Sequence, residues 1–141
     1  MNILAICFAI LAGIFTTVET SLNAQLGKYI TPGIATLHSL ITGVLFMLLI
    51  SLVKGNLNNY SRVVTVNPIL LIGGIFGALI IYLSSMAIPE LGISNSLILI
   101  LAGQLLSGLV ADVLANDIEI SFKKMAGLAL FLIGTIMFVQ E

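Results

Sequence analysis

Five stretches of this chain, at about 3–27, 32–53, 68–87, 92–114 and 122–140, are each long and apolar enough to cross a bilayer, and little lies between them. Crossing the hydrocarbon core takes roughly 20 mainly apolar residues in a helix. Hydrophobic residues fill 60% of the 141 positions and charged residues only 8%. A soluble domain of this size keeps too much surface in water to hide that much apolar area. The chain therefore reads as an integral membrane protein, a single transmembrane domain over residues 1–141 with no room for a soluble one. Period-two alternation, the mark of a membrane β-barrel, is absent. Every backbone N–H and C=O inside lipid must find its partner within the chain, so the remaining solution is the helix. The expected class is all-α, a polytopic bundle of five transmembrane helices.

Punctuation supports these cuts. Thr31-Pro32 and Asn67-Pro68 each read as an N-cap followed by Pro at the first helical position, where its missing N–H costs nothing. Pro89, with Glu90 and Gly92, is expected to break the run between the third and fourth spans, leaving no proline inside a helix. Lys54 to Asn67 (KGNLNNYSRVVTVN) reads as a loop, and Asp117 to Lys124 as the second polar connection. Residues 1–18 lack a preceding Lys or Arg and a small-x-small cleavage site, so they read as a retained first span rather than a signal peptide.

Charge sets orientation and excludes several functions. With five spans, Lys54, Arg62, Lys123 and Lys124 fall on the side of the N-terminus and Lys28 alone on the other. That bias predicts a multi-pass protein with its N-terminus in the cytoplasm and its C-terminus outside. A net charge of −1, with no basic patch, gives no reason to expect a nucleic-acid partner. Cys7 is the only cysteine, which rules out an internal disulfide; it reads as a small buried residue. His38 has no second His or Cys cluster beside it, so no metal site is expected and an interfacial histidine is the plainer reading. No nucleophile–base pair or phosphate-cradling loop is present, so neither an enzyme nor a cofactor is expected.

Small residues mark faces where helices can approach closely in lipid. Gly73 and Gly77 lie on the third span, Gly103 and Ser107 on the fourth, and Gly127 and Gly134 on the fifth. The fifth-span pair suits a contact between molecules.

The polar positions inside spans carry the functional reading, because an ionisable group there is expensive. Thr16, Glu19, Thr20 and Asn23 recur at spacings of three and four and share one face of the first span. Glu19 stands ~24 Å along the helix from Ile3, past the midplane. Ringed by hydroxyl and amide partners, such a carboxyl suits a proton or cation relay; the plainer reading is a residue that snorkels to the interface. Gln104, Gly108 and Asp112 repeat every four residues on the fourth span, with Gln104 near mid-depth and Asp112 near the cytoplasmic end. Both also admit bland roles, as interhelical glue and as a water-facing acid. Tyr82, with Ser84 and Ser85, lines either a vestibule or an interface. Glu19 and Asp112 belong to opposite membrane faces, so they would come level only across a second subunit inserted upside down.

The stretches VETSLNAQL (Val18 to Leu26), Pro32, SLITG (Ser39 to Gly43), IPELG (Ile88 to Gly92) and GQLLSGLVAD (Gly103 to Asp112) together resemble the YdcZ-like family of the drug/metabolite transporter superfamily. The resemblance spans nearly the whole chain and implies half of a transporter that works as an antiparallel pair. The family commonly has Gln where this chain has Glu19. A Glu there is similar to the small multidrug resistance branch, whose first-span Glu binds protons and cationic substrate. Residues 127–135 (GLALFLIGT) likewise resemble that branch's dimerising last helix. The reading that results is a subunit of a secondary transporter, an exporter of small organic solutes coupled through a membrane carboxylate. Its partners would be the lipid bilayer, a small-molecule substrate and a second five-span subunit in inverted orientation. The lopsided charge count favours a heterodimer over a homodimer. An ion-conducting pore and a non-transporting accessory subunit are the rivals.

Overall fold

A computed structural model describes residues 2–116 and 121–140. It divides into two compact units, Met1–Glu90 and Leu91–Glu141. All regular structure among the described residues is helical.

The first unit opens with helices α1 (Ile3–Tyr29) and α2 (Pro32–Val53). Asn2 caps α1 by accepting from the Leu4 N–H, and Thr31 caps α2 by accepting from the Ile34 N–H, with Pro32 in the first turn as expected. Only two residues separate the helices, so they run back along each other and pack. The reversal brings Gly27 close to Pro32: a methyl on Gly27 would lie in ordinary contact, 3.4 Å from the Pro32 Cα. Thr20, Asn23 and Ala24 on α1 are buried, as are Ala35 and Thr36 on α2. Close approach through small side chains is how membrane helices gain dispersion and interhelical hydrogen bonds when lipid removes the hydrophobic drive between them.

The segment expected as a loop is more ordered than its four asparagines suggest. Leu57–Thr65 winds into 3-10 turns and folds back onto the end of α2. Short polar side chains close these turns locally: Ser61 donates to the Asn58 carbonyl at 2.8 Å and Thr65 to the Arg62 carbonyl at 2.7 Å. Asn67 then caps a second 3-10 stretch, Pro68–Ile72, by accepting from the Ile69 N–H. That stretch runs directly into α3 (Gly73–Leu91), so the third span covers Pro68–Leu91.

Pro89 corrects the sequence reading. It lies inside α3 and does not end it; the helix continues to Leu91. Proline's fixed φ is helical, and its missing N–H frees one carbonyl a turn earlier, a loss a membrane helix near its end absorbs. The break falls at Gly92, whose φ of 79° is left-handed and stops the helix.

The second unit holds α4 (Ile93–Asn116) and α5 (Phe122–Val139), which pack on each other. Ser121 caps α5 by accepting from the Lys124 N–H at 3.3 Å. Asp117 and Glu119, expected in the connection before it, lie outside the described residues.

Each span meets the length and composition of a membrane-crossing helix, yet only 6–11% of each apolar window is buried within the chain. Most of these side chains are therefore left for lipid or a further subunit to cover. Cys7 is one of them: it is exposed, not buried as expected, because it belongs to a stretch of α1 in which every described residue before Thr16 is exposed.

Candidate functional site

Glu19, Asn23 and Ser39 meet across the α1–α2 pair. Asn23 lies one helical turn after Glu19, and its Nδ2 donates to the Ser39 Oγ at 3.2 Å. The Ser39 hydroxyl in turn donates to Glu19 Oε1 at 3.4 Å. One hydroxyl thus uses a lone pair toward the amide and its single proton toward the carboxylate. The two links differ in strength. O–H···O bonds cluster near 2.7–2.8 Å, so the Glu19 link is long and steers the carboxylate rather than clamping it. Asn23 is buried and anchored, whereas Glu19 is exposed on the surface of the chain.

The expected ring of hydroxyls around Glu19 does not form. Thr16 donates to the Ala12 carbonyl at 2.9 Å, and Thr20 to the Thr16 carbonyl at 2.8 Å. In apolar surroundings a hydroxyl takes the nearest acceptor, and on a helix that is the carbonyl four residues back. Thr20 is buried and Thr16 is half-buried, each with its hydroxyl closed onto its own helix. Ser84 and Ser85 are likewise buried, closed onto the Ile80 and Ile81 carbonyls and not turned to an open vestibule. Tyr82 is partly exposed, with its ring edge 3.9 Å from where a methyl on Gly33 would sit. His38 is exposed.

Gln104 and Asp112 belong to the second unit. The repeat at Gln104, Gly108 and Asp112 turns one face of α4 toward α5, where Lys124, Gly127 and Phe131 complete a cavity of about 500 Å³. Asp112 is half-buried, and Gln104 and Lys124 are exposed. The size falls within the range of small-ligand sites, ~300–1,000 Å³.

The glycines expected to pack helices have no partner within the described chain. A methyl on Gly73, Gly77, Gly103, Gly127 or Gly134 would meet no described atom within 4 Å. Ser107 is exposed, and its hydroxyl donates to the Gly103 carbonyl at 2.8 Å. Among the described residues no three His, Cys, Asp or Glu side chains converge as metal ligands would.

Two residues of these sites escaped the sequence reading. Ser39 entered only as the first residue of the stretch SLITG, with no role given to it, although Ala35, Thr36, Ser39 and Gly43 form a small-residue face on α2 at helical spacing. Lys124 counted only as a positive charge flanking the last span. Its position three residues into α5, one turn before Gly127, was the available signal.

A family described as "Putative inner membrane exporter, YdcZ" matches residues 4–137. No curated protein and no solved structure matches the chain.

Proposed function

The chain belongs to the YdcZ family of inner-membrane exporters, and on that footing we propose that it is one subunit of a secondary transporter that exports small organic solutes. The observation that carries this reading is the placement of Glu19. It stands within a 27-residue apolar helix, joined through Ser39 to a buried amide, yet exposed on the single chain. A carboxylate at that depth is costly against lipid. A second subunit, or a water-filled path between two subunits, removes that cost and gives the acid something to bind.

In this reading two copies of the fold, inverted in the membrane, rock about a cavity between them. Glu19 is the coupling or cation-binding carboxylate. Asn23 orients it through Ser39. Gln104 offers donors and acceptors near mid-depth, and Asp112 is an acid at the gate. Thr16, Thr20 and Tyr82 flank the path. Gly73, Gly77, Gly103, Ser107 and Gly134 serve the subunit contacts, which agrees with the open surroundings of the glycines and the exposure of Ser107 in one chain. Each subunit acts as one transmembrane domain, with its N-terminus in the cytoplasm and its C-terminus outside. The four-to-one distribution of Lys and Arg favours an inverted partner of different sequence.

The test is reconstitution in proteoliposomes with an imposed proton gradient and a panel of small cationic and neutral solutes. Gradient-driven solute movement that Glu19→Gln abolishes is the expected result. Transport that survives Glu19→Gln removes Glu19 from the mechanism. Reporters fused to the C-terminus of the chain expressed alone test the pairing: equal signal from both sides of the membrane defeats the heterodimer.

A further inference from the structure

We propose that the cavity between α4 and α5 is a binding site for a zwitterionic membrane phospholipid whose head group carries a primary ammonium beside its phosphate. The proposal shares Gln104 and Asp112 with the transporter reading, in which they meet solute, but it needs only that the chain lies in a bilayer.

Charge complementarity argues for this occupant. Asp112 and Lys124 line the same cavity of about 500 Å³ from opposite helices. Asp112 lies four residues before the end of α4 at Asn116, and Lys124 is the third residue of α5, which begins at Phe122. At ~1.5 Å per residue both charges lie within ~6 Å of the helix ends, the depth of lipid head groups. The helix ends add to the pattern. The C-terminal end of α4, negative by its dipole, is beside the acid; the N-terminal end of α5, positive by its dipole, is beside the base. The cavity therefore presents a negative and a positive pole side by side. An ammonium suits the first and a phosphate the second.

Below the charges the cavity is hollow and mostly apolar, with Gln104 its one further polar side chain. Leu109 and Phe131 line it, and Gly108 and Gly127 leave room, since a methyl on either would meet no described atom within 4 Å. An acyl chain can lie there along the helices. A phospholipid with a net negative head would set its charge against Asp112 without an ammonium to meet it. One with a quaternary ammonium could not donate a hydrogen bond to the acid.

The experiment is native mass spectrometry of the full chain released from nanodiscs that contain equal amounts of phosphatidylethanolamine, phosphatidylcholine and phosphatidylglycerol. Phosphatidylethanolamine is expected to be retained about tenfold over the other two, the ratio one charge-assisted hydrogen bond supplies. Asp112→Asn should remove that preference, and Lys124→Gln should lower retention of all three. Gly108→Leu fills the cavity without touching a charge, and the open space at its Cβ lets the fold keep its helix content by circular dichroism. That variant should lose the retained lipid. Equal retention of the three lipids by the unaltered chain overturns the proposal, as does a folded Gly108→Leu chain that still holds phosphatidylethanolamine. Because bound lipid and not transport is measured, this result stands or fails separately from the role of Glu19.

Discussion

Replacing Ser39 with Ala separates the anchor of the polar relay from its working end. The hydroxyl makes two links, at 3.2 Å to Asn23 and at 3.4 Å to Glu19. Asn23 is only 5% exposed, so its amide cannot turn to water once the hydroxyl is gone. Interhelical hydrogen bonds in membranes average ~0.6 kcal/mol and reach ~1.7, and a buried donor left unpaired costs ~1–3 kcal/mol. Ser39→Ala should therefore destabilise the α1–α2 pair by about 1–2 kcal/mol. Asn23→Ala loses the same bond and a similar amount. The double variant should lose clearly less than the sum of the two, because both singles break one shared interaction. Glu19→Ala breaks only the longer link of an exposed group, so it should destabilise less than either, while removing coupled transport. The assay is reversible unfolding in mixed micelles, read by circular dichroism, on the singles and the double. If Glu19→Ala destabilises more than Ser39→Ala, or if the Asn23 and Ser39 losses simply add, the assignment of Asn23–Ser39 as anchor and Glu19 as mobile end is wrong.

Other outcomes follow from the packing. Ala35 is wholly buried, so Ala35→Leu should overpack the α1–α2 contact and cost ~1–3 kcal/mol, seen as a lowered melting temperature in detergent. Gly92 holds a φ of 79°, so Gly92→Ala should cost ~1–2 kcal/mol through left-handed strain even though the space around it is open; an unchanged unfolding curve would contradict the turn geometry. Gly134 has nothing within 4 Å of a methyl in the described chain, so Gly134→Leu should leave the unfolding free energy of a single subunit within about 0.5 kcal/mol of wild type. The same change should reduce chemical cross-linking between subunits, and undiminished cross-linking would remove the fifth helix from the subunit contact.

Much of this architecture is legible from single residues. Thr31-Pro32 and Asn67-Pro68 cap helical starts where their chemistry places them, through bonds to Ile34 and Ile69. Such caps depend on residues two or three apart, so a linear reading reaches them. Pro89 misled because proline is usually a terminator, but its effect depends on its distance from the helix end, and Gly92 supplies the actual stop. The hydroxyls of Thr16 and Thr20 misled for a different reason. Their spacing puts them on the face of Glu19, yet spacing cannot say whether a hydroxyl reaches sideways to a carboxylate or back to its own helix.

Five apolar runs and the polar breaks between them determined that this is a helical membrane protein, and roughly where each span starts and stops. Lipid offers no hydrogen bonds, so each run must close its backbone bonds on itself, and that closure is local in sequence. The tertiary structure alone decided that Ser39 stands between Asn23 and Glu19, and that Lys124 shares a cavity with Asp112. Those meetings depend on which helices are neighbours and how each is rotated about its axis. Both are set by close packing of small side chains such as Ala24 and Ala35, far apart along the chain and silent about one another until the helices touch.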